Sequence, residues 1–255
     1  MARVLITGST TGLGKAAAEE LLDGGHEVIL HARNPERAAD VAELGARVAG
    51  VLLGDLAALG DVRSLAGQAN AIGGIDAVIH NAGVYAESSR GDTPEGHART
   101  LAVNVLAPYL LTLWIEGPSR LVYLTSGMHE QGDASLRDID WTARRWNGIQ
   151  AYCDSKLFVT ALAFAVARRR PHVHTHAVDP GWVPTRMGGP SAPDDLELGH
   201  RTQAWLAVTD DPAAIGDSGY WFHQEQQTPP TAAQDVTFQD ALLDELARLT
   251  GVPFA

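Results

Sequence analysis

Short apolar runs alternate along the chain with longer segments in which apolar residues recur every three or four positions. The short runs predict buried strands, and the longer segments predict helices. We predict seven strands, at 2–7, 26–31, 47–53, 76–80, 120–125, 173–178 and 218–222. Helices are predicted at 15–23, 35–44, 59–70, 95–114, 149–170, 196–208 and 234–249. This order predicts an α/β chain with a doubly wound, mostly parallel seven-stranded sheet and helices on both faces, a three-layer α/β/α architecture.

The length of 255 residues and the hydrophobic content of 45% suit one large domain, and we assign residues 1–255 to it. Gly, Pro and Asp are frequent around the helix at 196–208, which predicts a substrate loop or lid over about 182–217. The longest apolar runs are well short of the ~20 residues that a membrane span needs, and the N-terminus lacks a signal-peptide pattern. We therefore expect no membrane association.

Charge and cysteine content narrow the function classes. The formal net charge is −12, which argues against a nucleic-acid partner because such a protein needs a basic face. Cys153 is the only cysteine, so the chain cannot form an intrachain disulfide, and a cytoplasmic location is expected. His172, His174 and His176 alternate in a strand; we interpret them as sheet surface rather than as metal ligands and predict no metal site.

A glycine loop follows the first predicted strand. Gly8, Gly12 and Gly14 have the spacing G-x-x-x-G-x-G and lead directly into a helix. Glycines let backbone N–H groups approach phosphate closely, and a helix N-terminus carries partial positive charge. A glycine loop alone is a weak signal, but in this strand–loop–helix–strand context it predicts a dinucleotide cofactor.

The end of the second strand bears on the choice of cofactor. His31 and Arg33 stand where an NAD-preferring site has an acid for the ribose 2′-hydroxyl. A guanidinium there suits a 2′-phosphate, so NADP(H) is favoured over NAD(H). The alternative is that Arg33 is a solvated charge that precedes the next helix.

Polar and small residues follow later strands. Asp55 comes just after a strand, and its carboxylate could accept from the adenine amino group or cap the next helix. Asn81, Ala82 and Gly83 follow another strand, at the edge where open α/β sheets bind ligands. Asn104 lies inside an apolar helix, where its amide must either satisfy backbone groups or hold a water.

Tyr152 and Lys156 are four residues apart in the longest predicted helix and therefore share one face. An ammonium close to a phenol favours the phenolate and lowers the pKa of the tyrosine, which predicts a proton donor or acceptor. Lys15 is the only other lysine in the chain. The same spacing also fits a surface Lys one turn from a packing Tyr.

Ser126 ends the fifth predicted strand. From the residues alone it could be a turn residue at the strand end or a hydrolase nucleophile, and the G-x-S-x-G elbow that a nucleophile needs is lacking. Aromatic residues predict an apolar or ring-bearing substrate, although several of them would also suit a core. The predicted pocket residues are Tyr85, His129, Trp141, Trp146, Trp182 and the segment 196–205.

Taken together, these motifs resemble the short-chain dehydrogenase/reductase family over roughly residues 2–250. The resemblance comprises the glycine loop, Asp55, Asn81-Ala82-Gly83, Asn104, Ser126, Tyr152 with Lys156, and Pro180-Gly181 with Thr185, in that order. Tyr-Cys-x-Ser-Lys and the long gap before it are similar to the retinol-dehydrogenase-like branch. Two departures stand out: the segment 114–119 is short, and Asp179 stands where Asn is commoner.

The resemblance implies a Rossmann-type fold and an NADP(H)-dependent carbonyl reductase or alcohol dehydrogenase. Tyr152 would exchange the substrate proton, Lys156 would tune it and hold the nicotinamide ribose, Ser126 would bind the substrate oxygen, and Asn104 would hold a water. The implied cofactor residues are Gly8, Ser9, Thr10, Gly12, Leu13, Gly14, His31, Arg33, Asp55, Leu56, Asn81, Ala82, Gly83, Tyr152, Lys156, Pro180, Gly181, Val183 and Thr185.

The expected partner is a ketone, aldehyde or secondary alcohol, which the resemblance suggests is lipophilic, and a homodimer or homotetramer is expected. Two alternatives remain from the sequence. One is epimerisation or dehydration on the same scaffold, and the other is a non-catalytic NADP(H)-binding sensor.

Overall fold

An eight-stranded sheet forms the centre of the protein, with the strand order β3-β2-β1-β4-β5-β6-β7-β8. The computed structural model describes residues 1–254. The strands are β1 Arg3–Ile6, β2 Glu27–Ala32, β3 Gly50–Leu53, β4 Ala77–His80, β5 Arg120–Leu124, β6 His174–Asp179, β7 Tyr220–Phe222 and β8 Glu225–Gln227. The first seven run parallel, which confirms the doubly wound sheet. The order reverses between β1 and β4, and a ligand crevice is expected at that switch point.

The predicted strand count of seven is wrong by one. The additional strand, β8, pairs antiparallel with β7 through a hairpin whose turn residues His223 and Gln224 have φ values of 48° and 64°. Its sequence, Glu225-Gln226-Gln227, is polar and exposed. A strand without an apolar face has no hydrophobic signal, so only the pairing reveals it.

Helices cover both faces of the sheet, as predicted. The longer ones are α1 Gly12–Asp23, α3 Leu59–Ile72, α5 Ala107–Trp114, α6 Gly148–Arg169, α7 Leu196–Val208 and α10 Val236–Thr250. The short ones are α2 Pro35–Ala38, α4 Arg99–Leu101, α8 Pro212–Ile215 and α9 Thr231–Gln234. One apolar core lies between the sheet and α3, α5, α6 and α10, and a second lies between the sheet and α1 and α7.

Two predicted helices are less regular than expected. The helix predicted at 95–114 begins only at Arg99, and Ala102–Leu106 is π-helical between α4 and α5. Asn104 lies in this π-helical turn, and its side-chain amide hydrogen-bonds the backbone of Val84, in the segment that follows β4. The helix predicted at 35–44 continues after α2 only as a 3₁₀ helix, interrupted at Val41 with φ −126°.

The long helix α6 crosses the interior. Asn147 caps its N-terminus by accepting from the Gln150 N–H at 3.2 Å, and its last turn carries Arg168 and Arg169. By length and mean hydropathy this helix could span a membrane. The sequence alone did not predict this, because its uninterrupted apolar runs are too short. However, 83% of its most apolar stretch is buried inside the protein, as expected of a core helix.

Candidate active site

The glycine loop lies where β1 ends, pressed against the end of β4. Gly8 has φ +64°, and a Cβ there would lie 2.9 Å from the Ala82 Cα. A Cβ on Gly14 would lie 2.4 Å from Asn81 Nδ2 and 2.5 Å from the Gly8 carbonyl oxygen. Larger residues at these positions would force the loop away from the sheet, so the backbone needs glycine here.

The N-terminus of α1 is open to a ligand. Its N-cap, Thr11, makes no side-chain capping bond, and the first turn contains no acidic residue. Thr11 and Gly12 are exposed, and Gly12 has φ +58° and faces the Thr185 side chain across a gap. Uncapped N–H groups on a glycine-lined helix terminus suit a pyrophosphate.

His31 does not point toward a phosphate. It is buried; its Nδ1 accepts from the Gly8 N–H at 2.9 Å, and its Nε2 lies 2.9 Å from the Gly54 carbonyl oxygen. Because Nδ1 accepts, Nε2 must carry the proton and donate, so the ring is the neutral Nε2–H tautomer. Burial lowers the pKa of His31, which favours the same neutral form. His31 therefore braces the glycine loop, and its prediction as a cofactor ligand is corrected.

Ser9 is also corrected as a direct ligand. Its hydroxyl is fully buried, donates to the Ile6 carbonyl oxygen and accepts from the His31 N–H, both at 2.9 Å. The sequence could not predict this, because the contact depends on the pairing of β1 with β2. Thr10 is half-buried in the same loop.

Arg33 is exposed just past β2 and has no carboxylate partner in the described part of the chain. Arg37, four residues further on, is paired with Asp40 at 2.8 Å. Asp55 does not cap the next helix: its Oδ1 accepts from the Ala57 N–H at 2.9 Å, whereas the N-cap of α3 is Ala58. Its half-buried carboxylate lies at the carboxyl end of β3, and the contact with adenine stays a prediction. Leu56 beside it is buried.

The end of β4 holds the glycine loop in place. Asn81 Nδ2 donates to the carbonyl oxygens of Thr7 and Gly8 at 2.9 and 3.1 Å, and the Ala82 N–H donates to Thr7 Oγ1 at 3.1 Å. A Cβ on Gly83 would lie 3.4 Å from Asn104 Oδ1 and 3.5 Å from Lys156 Nζ. The predicted triplet at 81–83 thus joins the cofactor loop to the ammonium.

Lys156 lies beside the Tyr152 ring, with Nζ 5.5 Å from the ring centroid. The ammonium is buried, donates to the Leu124 carbonyl oxygen at 2.8 Å, and has its pKa lowered by burial to about 8. The predicted proximity is therefore confirmed, and the reading of Lys156 as a surface lysine is wrong.

The predicted depression of the tyrosine pKa is wrong for this structure. Burial raises the pKa of Tyr152, a hydrogen bond with Ser126 opposes the rise, and the Asp179 carboxylate adds to it. Desolvation of the phenolate is the largest cause and outweighs the hydrogen bond with Ser126. Tyr152 is consequently a neutral phenol at pH 7, and this is the state of a proton donor.

Ser126 follows β5 and faces Tyr152. Its Oγ accepts from the Met128 N–H at 3.3 Å and so caps the short 3₁₀ helix Gly127–Gln131. Its hydroxyl hydrogen is free of the cap and can be donated to the Tyr152 phenol oxygen, which is the direction in which Ser126 lowers the pKa of Tyr152. The predicted position beside the phenol is present, although the residue also has the turn role that the sequence left open.

Asn104 uses its amide for structure. Oδ1 accepts from the Val84 N–H at 2.9 Å, and Nδ2 donates to the Val84 carbonyl oxygen at 3.1 Å and to Ser155 Oγ at 2.9 Å. Both amide hydrogens are used by protein groups, so the side chain connects the segment after β4 to α6. Any water on Asn104 would have to bind its remaining oxygen lone pair or its backbone.

The segment after β6 closes the crevice from the other side. Gly181 has φ +81°, and Thr185 Oγ1 accepts from the Gly188 N–H at 3.2 Å. Gly199 of α7 was missed from the sequence: a Cβ there would lie 2.7 Å from Val183, 3.0 Å from the Pro180 carbonyl oxygen and 3.2 Å from Leu13. One glycine therefore lets α7 support three of the predicted cofactor residues.

The aromatic residues divide into two groups. Tyr85 packs edge-on against Tyr152 with ring centroids 4.8 Å apart, and Trp182 is 58% exposed. Trp141 is buried, with the Arg144 guanidinium 3.5 Å above its ring and Trp146 beside it. Trp141 is therefore core beneath the loop, and its assignment to the pocket is corrected in favour of the alternative.

A buried acid in the catalytic helix was also missed. Asp154 accepts from Arg144 Nη2 at 2.9 Å, from the Asp133 N–H at 2.9 Å and from Gln150 Nε2 at 2.8 Å. These bonds hold the segment 133–147 on α6 next to Tyr152. The partners lie 4 to 21 residues away, so spacing alone carries no signal for this network.

His174 and His176 lie on β6, whereas His172 precedes the strand. His176 is buried and accepts at Nδ1 from the Trp221 Nε1–H at 3.0 Å and the Gly219 N–H at 3.2 Å, whereas His172 is exposed. Within residues 1–254 no group of three His, Cys, Asp or Glu side chains is arranged to hold a metal ion.

Comparison with known proteins extends over nearly the whole chain. A model of the short chain dehydrogenase family matches residues 2–116. Short-chain dehydrogenase chry4 of Gibberella zeae is 40% identical over 258 residues, which cover 99% of this chain and 98% of that protein. Retinol dehydrogenase 13 of Homo sapiens is 30% identical over 285 residues, covering 98% of this chain and 84% of that protein.

Solved structures share the fold. An uncharacterized protein from Mycobacterium paratuberculosis has a TM-score of 0.83 and 26% identity, covering 100% of this chain and 95% of that chain. A blue fluorescent protein from a metagenomic library, solved with NADPH, has a TM-score of 0.69 and 22% identity, covering 88% and 97%.

Proposed function

Since this chain belongs to the short-chain dehydrogenase/reductase family of oxidoreductases and is similar to its retinol-dehydrogenase branch, we propose that it is an NADP(H)-dependent carbonyl reductase or alcohol dehydrogenase. Its substrate would be a ketone, an aldehyde or a secondary alcohol. The observation that carries the proposal is the buried Lys156 ammonium beside the neutral Tyr152 phenol, at the end of the glycine-lined crevice.

The cofactor cradle supports a dinucleotide. The uncapped N-terminus of α1 would receive the pyrophosphate, and the Gly8 and Gly14 backbone leaves room for it. Asp55 would accept from the adenine, and Lys156 would hold the nicotinamide ribose. When bound, the nicotinamide supplies or accepts the hydride, and the protein provides position and electrostatics.

The residues of this chain would handle the proton. In reduction, the Ser126 hydroxyl donates to the substrate oxygen and stabilises developing negative charge, in the manner of an oxyanion hole. Tyr152 then gives its proton to that oxygen. The positive charge of Lys156 stabilises the phenolate that remains, and this matters more once burial has made the phenolate costly. In oxidation the same groups act in reverse.

Arg33 supports a preference for NADP(H). Its exposed guanidinium follows β2, and no acid stands at that strand end to accept a ribose 2′-hydroxyl. Fold neighbours solved with NADPH or NADP agree with this choice. We expect Arg33→Ala to weaken NADPH binding about tenfold while leaving NADH nearly unchanged, as measured by nucleotide fluorescence titration. The control is Arg37→Ala, since Arg37 is already paired with Asp40. Equal losses for both nucleotides would contradict the preference.

An apolar mouth supports a lipophilic substrate. Tyr85 and Trp182 are 42% and 58% exposed, and Ile149, one turn before Tyr152, is 54% exposed. Exposed large apolar side chains around a site mark a binding surface more often than isolated ones do. The name of retinol dehydrogenase 13 points to the same chemical class.

The decisive test is a carbonyl panel with both nucleotides. We expect NADPH oxidation with an apolar aldehyde or ketone, and we expect Tyr152→Phe to reduce turnover at least 10³-fold while NADPH still binds, because the proton donor is lost. Tyr109→Phe is the control, since it removes a phenol hydroxyl that bonds the distant Val252 carbonyl. Cofactor binding without turnover on any carbonyl or alcohol would favour a sensor.

We also propose a cytoplasmic location and a homo-oligomeric state. Cys153 is the single cysteine and is buried, so the fold does not depend on a disulfide that would require an oxidising compartment. Light scattering coupled to gel filtration would measure the assembly, and a monomer at micromolar concentration would contradict it.

A further inference from the structure

A carboxylate lies next to the proton-transfer site without an assigned role. Asp179 ends β6, and side chains alternate along a strand, so it lies on the face of Ala177, which belongs to the core against α6. Its neighbour Val178 is paired with Leu124, whose carbonyl oxygen accepts from the Lys156 ammonium. Asp179 is therefore at the level of the ammonium, on the side of the sheet that carries it.

Two hydrogen bonds hold the carboxylate, and a glycine turn lies close to it. Oδ1 accepts from the Gly181 N–H at 3.0 Å, and Oδ2 lies 3.4 Å from the Tyr220 hydroxyl, which can donate to it. A Cβ on Gly127 would lie 3.1 Å from Oδ2, so the turn after Ser126 approaches the carboxylate directly. None of these partners carries a positive charge.

The charge of Asp179 acts on both members of the catalytic pair. It raises the pKa of Lys156 against the stronger effect of burial, and it raises the pKa of Tyr152 in addition to burial. The groups that face this cluster are Lys156, Tyr152 and Cys153 from α6, Tyr220 from β7, His129 and Glu130 from the turn after β5, and Tyr85 from the segment after β4. Among these side chains, Lys156 is the only lysine or arginine.

We propose that Asp179 is a positioning residue that serves as the counter-charge of the buried Lys156 ammonium and thereby sets the pH range of the proton-transfer site. The inference deepens the proposed function and rests on it for its consequence in catalysis. The carboxylate keeps Lys156 charged inside the protein and keeps Tyr152 protonated. Both effects extend the reducing form of the site to higher pH.

The sequence allows a direct test, because the chain contains only two lysines. In protein labelled with ¹³C at the lysine ε-carbon, Lys15→Arg leaves Lys156 as the only signal, and its titration can be followed by NMR without cofactor or substrate. Asp179→Asn, which can still accept from the Gly181 N–H, should lower the Lys156 midpoint by ~1 pH unit. Asp179→Ser is the second uncharged variant and should act in the same direction.

The matched control is Asp217→Asn, which removes an exposed charge before β7 and should leave the midpoint in place. In the full enzyme, Asp179→Asn should move the alkaline limb of the reductase profile to lower pH by a similar amount and leave turnover at pH 6 within about threefold. An unchanged Lys156 midpoint in both folded Asp179 variants would overturn the inference. If the Lys156 midpoint shifts but the protein has no reductase activity, the proposed function is refuted. The inference that Asp179 is the counter-charge of Lys156 is then still supported.

Discussion

Because Lys156 is buried, we expect it to lower the stability of the protein while it serves the activity. The variant Lys156→Met tests this expectation. Burial lowers the pKa of Lys156 from 10.5 to about 8, so the folded protein holds the charged form at a cost. Methionine has a similar length and no charge, and its thioether suits an apolar environment. The variant should therefore be inactive and yet more stable than the natural protein at pH 7.

The magnitude follows from the size of the pKa shift. A change from 10.5 to about 8 corresponds to roughly 3 kcal/mol of unfavourable free energy at pH 7. Losing the bond to the Leu124 carbonyl oxygen offsets roughly 1–2 kcal/mol of that gain. The net stabilisation is about 1–2 kcal/mol, which is roughly 2–8 °C in Tm for a chain of this size.

The pH dependence gives the prediction its sign. Between pH 8 and 10.5 the unfolded chain keeps a proton on Lys156 that the folded protein has released, so the natural protein gains stability as pH rises. The advantage of Lys156→Met should therefore be full at pH 7 and shrink steadily toward pH 10.

Thermal unfolding by circular dichroism at pH 7 and pH 9.5 measures both effects. Lys15→Met is the control, because that partly exposed lysine pairs with Glu19 at 2.6 Å and should lose at most about 1 kcal/mol. A Lys156→Met protein less stable than Lys15→Met at pH 7 would refute the reasoning, and so would a stability difference that does not change with pH.

Three further outcomes follow from the same contacts. Reductase turnover should fall about tenfold between pH 7 and pH 9, because the pKa of Lys156 is about 8 and the charged form is required; a flat profile would contradict this. Gly14→Ala should weaken NADPH binding at least tenfold, since its Cβ would lie 2.4 Å from Asn81 Nδ2; Gly67→Ala, with open space at its Cβ, is the fluorescence-titration control. Asp154→Ala should lower the free energy of unfolding by about 3 kcal/mol in urea, because Arg144 loses a buried partner, and an unchanged midpoint would show that the network adds no stability.

Strand and helix positions were largely predictable, because the buried face of an element requires apolar residues at regular intervals in the sequence. The helix at 196–208 has the predicted bounds, and the seven parallel strands lie where apolar runs stand in the sequence. The polar strand β8 has no such pattern. The π-helical turn at Ala102–Leu106 was not predicted either, and its Asn104 bonds Val84, a contact that local spacing does not show.

The sequence predicted which residues lie at the site, but it did not predict what each side chain contacts there. Tyr152 and Lys156 share a helix face by geometry alone, and the structure confirms their contact. His31 and Ser9 were expected to face the cofactor, but both hydrogen-bond the protein instead. Their direction depends on which strands become neighbours, and local spacing holds no information about that.

The sequence by itself determined which residues of this protein share an element: the glycine loop before α1, the phenol and ammonium on α6, and the apolar strands of the sheet. These relations are local, and the periods of helix and strand are enough to specify them. Only the tertiary structure decided which groups are desolvated and what stands opposite them. Burial reversed the expected direction of the Tyr152 pKa, and the pairing of β5 with β6 brought Asp179 to the level of Lys156. The reason is physical: a pKa depends on the lost hydration and on nearby charges, and both arise from segments far apart in the chain.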